Sequence, residues 1–222
     1  MVWRNTNIFS RPGSRLGGGY SFTAVDFGHG QSRSGIQSIQ AFATYKFSPH
    51  MSLTGWLGPQ YTANKNLVPI FCTRYGCLIE QFHNASWSSA FGGNFSWSGQ
   101  RNSVRLSFSK SIQNGGILLG VVQLYQVNSL YMRQLTPRWT GNLGVLYGNN
   151  TGRSTRFQAQ HLNSITGYAS LVRQLTPDLS ASVSYTYLYQ TQQHLYYAVT
   201  PKWIDNHFQF TLQYYWGHSL GR

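Results

Sequence analysis

Arg133-Gln134-Leu135-Thr136-Pro137 recurs letter for letter forty residues on, as Arg173-Gln174-Leu175-Thr176-Pro177. Around each copy apolar and polar residues alternate for about ten positions, the period of a strand whose side chains point to opposite faces. Looser copies, Tyr45-Lys46-Phe47-Ser48-Pro49 and Asn7-Ile8-Phe9-Ser10-Arg11-Pro12, lie upstream. Proline has no N–H to give to a ladder, so it belongs at a corner between strands. Each copy therefore predicts a strand, a tight turn and a returning strand. The chain reads as a train of β-hairpins.

The alternation sorts residues into two faces. Ile39, Ala41, Ala43, Tyr45 and Phe47 share one face of a strand over 36–47, against Ser38, Gln40, Thr44 and Lys46 on the other. Val104, Leu106 and Phe108 alternate with Ser103, Arg105, Ser107 and Ser109. The last strand, with Phe208, Phe210, Leu212, Tyr214 and Trp216 on one face, is the cleanest example. Short turns fall after Phe9, Phe47, Trp97, Leu135 and Leu175, at spacings of 38, 50, 38 and 40 residues, and Trp216 follows 41 later. Short and long connections alternate, which places every short turn at one end and the long loops at the other. The longest expected loop, 62–83, carries both cysteines.

Charged residues are 9% of the 222-residue chain, against about a quarter in ordinary soluble domains, while aromatics reach 16%. The polar face is built from Ser, Thr, Asn and Gln. A soluble sandwich would carry Lys and Glu on its outer face. A strand crossing hydrocarbon needs about nine to eleven residues, which each half-repeat supplies. A propeller blade would pack four shorter strands into one forty-residue repeat. No run of 18 apolar residues exists, so no membrane-spanning helix is expected. Backbone groups at an open edge go unpaired in lipid, so such a sheet must close. The pattern predicts a single all-β domain over 1–222, an antiparallel up-and-down transmembrane β-barrel of about 10–12 strands.

The hairpins Tyr45–Leu53, Arg133–Tyr147 and Arg173–Tyr189 and the final strand Phe208–Trp216 give the chain a likeness to a known architecture. It resembles the Gram-negative bacterial outer-membrane β-barrel proteins. The resemblance implies an outer-membrane location, periplasmic short turns, outward-facing long loops and contact with membrane lipid and lipopolysaccharide. Ten whole strands and a half-strand at the start make eleven, where single-chain bacterial barrels have even numbers. With no signal peptide at Met1-Val2-Trp3-Arg4-Asn5, the expectation is a missing N-terminal part and a parent barrel of twelve or more strands.

The net charge of +13 first suggests nucleic acid, but the 17 Lys and Arg are scattered singly with no binding motif. Nucleic acid is not expected as a partner. Lys46 and Arg105, on the presumed inner face, are candidate pore-lining cations that raise local anion concentration in an open lumen. Arg133 and Arg173 sit on the outward face beside the short turns, where a salt bridge or anion relay competes with snorkelling to headgroups. Snorkelling is the expectation. Trp97, Trp139, Tyr189 and Trp216, with Trp87, Tyr147, Tyr185 and Tyr214, are expected as interfacial anchors, not sugar-stacking platforms.

Cys72 and Cys77 predict a small disulfide-closed loop or, failing that, two free thiols. A metal site would need Glu80 and His83 as well, which is a weak pattern, and no metal or cofactor is expected. Asp205 and His207, two apart on one strand, and Asp26/His29 and Glu80/His83 would suit a rim hydrolase, but no nucleophile motif accompanies them. The expected function is a porin-like passive channel for small polar solutes with a preference for anions. The alternatives are a structural or adhesive barrel with a filled lumen and, behind that, an outer-membrane hydrolase. The sequence leaves the oligomeric state open.

Overall fold

The computed structural model describes residues 4–6, 13–27, 32–73, 76–114, 121–152, 161–193 and 201–215, with backbone alone described at 4–6, 25, 27, 32, 66–73, 76–82, 84, 114, 121 and 193. The strands are β1 (Arg4–Thr6), β2 (Arg15–Phe27), β3 (Ser32–Ser48), β4 (Met51–Thr73), β5 (Gly76–Ser98), β6 (Asn102–Asn114), β7 (Val121–Thr136), β8 (Trp139–Gly152), β9 (His161–Gln174), β10 (Leu179–Gln193) and β11 (Lys202–Tyr214). They form one sheet in strict chain order, each strand antiparallel to the next. The eleven-strand meander expected from the repeat is present.

The period-2 pattern decides which face goes where. Ile39, Leu57, Phe108, Leu143, Val145, Phe208 and Phe210 are all more than half exposed. Among the described residues the buried hydrophobics are only Ala90, Ile112 and Val122. A soluble all-β domain could not fold on so small a core, because burial of apolar surface is its main driving force. The apolar face is the outside of the molecule, and lipid is the solvent that makes it stable.

The hydroxyl before proline closes two of the short turns. Ser48 Oγ accepts from the His50 N–H at 3.2 Å, and Thr136 Oγ1 accepts from the Arg138 and Trp139 N–H groups at 3.3 and 3.2 Å. Both strands shift register just before this turn, between Lys46 and Ser48 and between Gln134 and Thr136. The second exact copy behaves differently. After Gln174 the chain makes a wider turn, in which the Leu175 and Thr176 N–H groups both donate to Leu179 O at 2.9 and 3.1 Å. The five shared residues fix where the chain turns, and the residues after proline (Arg138-Trp139 against Asp178-Leu179) differ between the two turns.

One expectation needs correction. The stretch 62–83 is not a loop: β4 and β5 continue as a paired ribbon from Lys65↔His83 up to Thr73↔Gly76. Asn and Lys on both faces hide the alternation there. β3 accompanies β4 only to Asn66, and β5 meets β6 only from Phe91 down, so the ribbon tip stands beyond its neighbours. The sheet does not close among the described residues. β1 has three residues and pairs only with β2, and β11 pairs only with β10. All 13 residues of β11 are exposed, as expected of an edge with nothing beside it.

Candidate functional site

The inner face is a wall of small neutral polar groups that bond to one another across the ladders. Ser21 meets Ser38 at 2.7 Å, Thr44 meets Thr54 at 3.0 Å, Ser52 meets Ser96 at 2.7 Å and Thr62 meets Ser86 at 2.9 Å. On the other half of the sheet Asn142 Nδ2 donates to Ser170 Oγ at 2.9 Å. Large inner residues lie flat over glycines. A Cβ on Gly92 would stand 2.6 Å from Trp56 Cζ2, and Tyr168 covers Gly144 in the same way.

Lys46 and Arg105 are brought together by register. Lys46 pairs with Ser52, Ser52 with Ser96, and Ser96 with Arg105, so the two cations share one row perpendicular to the strands. Three strand spacings of about 4.8 Å separate them, roughly 14 Å of wall. Both side chains are exposed. The Lys46 N–H donates to the buried Ser14 hydroxyl at 3.3 Å, and its stem packs over Gly13, whose φ of +85° suits glycine. Arg105 borders a recess of about 280 Å³ with Ser96, Ser103, Leu130 and Met132. Neither cation has a carboxylate opposite it on a neighbouring strand.

Higher up, a feature the sequence reading missed narrows the inside. β6 leaves β5 beyond Lys110 while staying paired with β7. Its Ile112 reaches the inner face of β4, where Gln60 holds it by two bonds: Gln60 Nε2 donates to Ile112 O and the Ile112 N–H donates to Gln60 Oε1, both at 2.8 Å. Gln60 and Ile112 are 5% and 3% exposed, and Ala90, Val122 and Gln123 are buried with them. The only signal was a lone Gln in a Gly-Pro-Gln step, which does not announce such a tether.

On the outer face, Arg133 borders a groove of about 380 Å³ with Leu135, Gly141, Leu143, Leu171 and Tyr185. The Arg173 guanidinium lies 5.1 Å from the Trp139 ring centroid, a cation–π contact beside the short turns. Trp97 is 37% exposed on the same face. Tyr189 is half-buried between Ile165 and Ile204 at the opposite end. Trp216 lies outside the described residues. Cys72 and Cys77 are direct backbone partners in the ribbon, and their side chains lie outside the described set.

Asp205 and His207 both sit exposed on the edge strand β11, opposite Leu188 and Thr186. Asp26 stands opposite Arg33, and His29 and the Glu80 side chain lie outside the described residues. Among the described residues no group of three His, Cys, Asp or Glu side chains is placed to hold a metal.

No family model and no curated protein matches the chain. Solved structures do. The chain is similar to in-vitro folded OmpT, an outer membrane protein of Vibrio cholerae, at 9% identity and a TM-score of 0.50, covering 91% of this chain and 76% of that one. The outer-membrane expressed form of the same protein gives 9% identity, 91% and 77% coverage and a TM-score of 0.49. The β domain of the Bordetella autotransporter BrkA is 14% identical, with 96% and 86% coverage and a TM-score of 0.38. With its chain-order meander, apolar exterior and hydroxyl-lined interior, the chain has the fold of the bacterial outer-membrane β-barrel proteins.

Proposed function

We propose that the protein is an outer-membrane barrel that passes small polar solutes, with anions preferred over cations. The observation that carries this reading is the Lys46–Ser52–Ser96–Arg105 row: two exposed cations on one level of a neutral hydroxyl wall. A lumen lined in this way concentrates anions near the wall and offers no strong binding site to trap them. The reading requires the strand edges to be joined in the membrane, since unpaired backbone is not tolerated in hydrocarbon. Catalysis and cofactors have no part in it. The test is reconstitution into a planar bilayer under a salt gradient, where discrete steps and an anion-selective reversal potential are expected.

A second reading has its own support. The Gln60–Ile112 tether holds the upper part of β6 against the inner face of β4, which favours a filled, structural barrel. Well-folded protein that inserts and gives no steps, in wild type and in a Gln60 variant alike, would favour it over the channel.

A further inference from the structure

Register gathers a second group of basic residues that the sequence leaves dispersed. Arg33 on β3 is the direct partner of Lys65 on β4, and Lys65 is the direct partner of His83 on β5. All three line one outward groove of about 460 Å³ near the ribbon end, together with Phe22, Ala24, Tyr61, Ala63 and Ala85. Like charges directly opposite on neighbouring strands destabilise a sheet. Arg33 against Lys65 is such a pair. Asp26, across from Arg33 on β2, offsets one charge at the end of the row and leaves Lys65 in the middle.

We propose that this groove binds the phosphorylated, acylated lipid of the outer leaflet, lipopolysaccharide. A phosphate seated between Arg33 and Lys65 converts their repulsion into two charge-assisted hydrogen bonds, with His83 at the flank. The apolar floor of Phe22, Ala63, Tyr61 and Ala85 then takes the first part of an acyl chain. Neither half of the site suffices for another ligand class: an open apolar floor does not hold a free anion, and the cations do not attract a neutral lipid. The inference rests on the outer-membrane placement in the proposed function but not on whether the lumen conducts.

The test is lipid binding to the refolded full chain in neutral detergent, read by native mass spectrometry. The probes are rough lipopolysaccharide, its dephosphorylated form, phosphatidylglycerol and inorganic phosphate. Wild type is expected to retain one rough lipopolysaccharide, and an Arg33→Gln/Lys65→Gln double variant to bind it at least tenfold more weakly. Dephosphorylated lipid should bind as weakly to wild type as intact lipid does to the variant, and millimolar phosphate should not displace the lipid. An Arg133→Gln/Arg173→Gln variant, altered at the other end, should bind like wild type. Heat-modified mobility on gels identifies the folded fraction of each variant, and Lys65→Arg, which keeps the charge, should restore binding. Equal binding by wild type and the folded double variant, equal retention of phosphatidylglycerol, or displacement by inorganic phosphate would each overturn the proposal. Failure of wild type to insert into bilayers would instead strike at the outer-membrane placement.

Discussion

Lys46 and Arg105 lie 59 positions apart in sequence and on one transverse row of the inner face, joined through the hydrogen-bonded hydroxyls of Ser52 and Ser96. Their fields therefore add at one level of the lumen. Replacing both (Lys46→Gln, Arg105→Gln) should move the reversal potential toward zero selectivity, with the single variants in between. Conductance steps should persist, because the wall remains polar. An unchanged anion preference in the double variant would place the selectivity elsewhere.

The Gln60 tether predicts coupled effects on stability and conductance. Gln60→Ala leaves the buried Ile112 N–H and C=O unpaired, at a cost of about 1–3 kcal/mol for each such group. The expected outcomes are a lower urea midpoint and, as the hairpin end loosens, larger or noisier channel steps. A variant with unaltered conductance and lowered stability would make the tether structural only.

Glycines under inner aromatics mark positions without room. Gly92→Ala places a Cβ against both the Trp56 ring and the Phe108 carbonyl at 2.8 Å, and the carbonyl is backbone that cannot swing aside. A loss of about 1–3 kcal/mol is expected, as for overpacking generally. Gly167→Ala, where nothing lies within 4 Å, should be neutral or nearly so. Equilibrium urea unfolding in detergent micelles checks both.

Cys72 and Cys77 face each other as direct partners, where Cα atoms lie about 4.5–5.5 Å apart, within the range a disulfide spans. Oxidised protein should resist alkylation until reduced, and limited proteolysis of the ribbon tip should accelerate after reduction. Because the tip stands beyond the neighbouring strands, Cys72→Ser should leave the urea midpoint of the barrel unchanged. Free labelling of both thiols without reductant would contradict the disulfide.

Much of this fold was legible because its physics is local. Thr136-Pro137 and Ser48-Pro49 announce turns through one hydroxyl and one missing N–H, and Val183-Ser184-Tyr185-Thr186 announces its two faces by alternation. What stayed hidden depends on which residues come to stand opposite each other. Arg33, Lys65 and His83 look like scattered charges until pairing aligns them, and Gln60 gives no hint that its partner is the backbone of Ile112. The 62–83 ribbon resembles a loop in sequence because polar residues on both faces blur the period on which strand assignment relies.

The most direct measurement of the account is a spin-label scan of β8 in lipid bilayers, with single labels at Asn142, Leu143, Leu146, Val145 and Tyr147. Leu143, Val145 and Tyr147 are exposed on the apolar face, whereas Asn142 and Leu146 belong to the polar one. Accessibility to apolar oxygen should be high at 143, 145 and 147, and accessibility to a water-soluble nickel chelate should be high at 142 and 146. Uniform access to the chelate at all five positions, or a folded protein that stays soluble without detergent, would contradict the lipid-facing exterior.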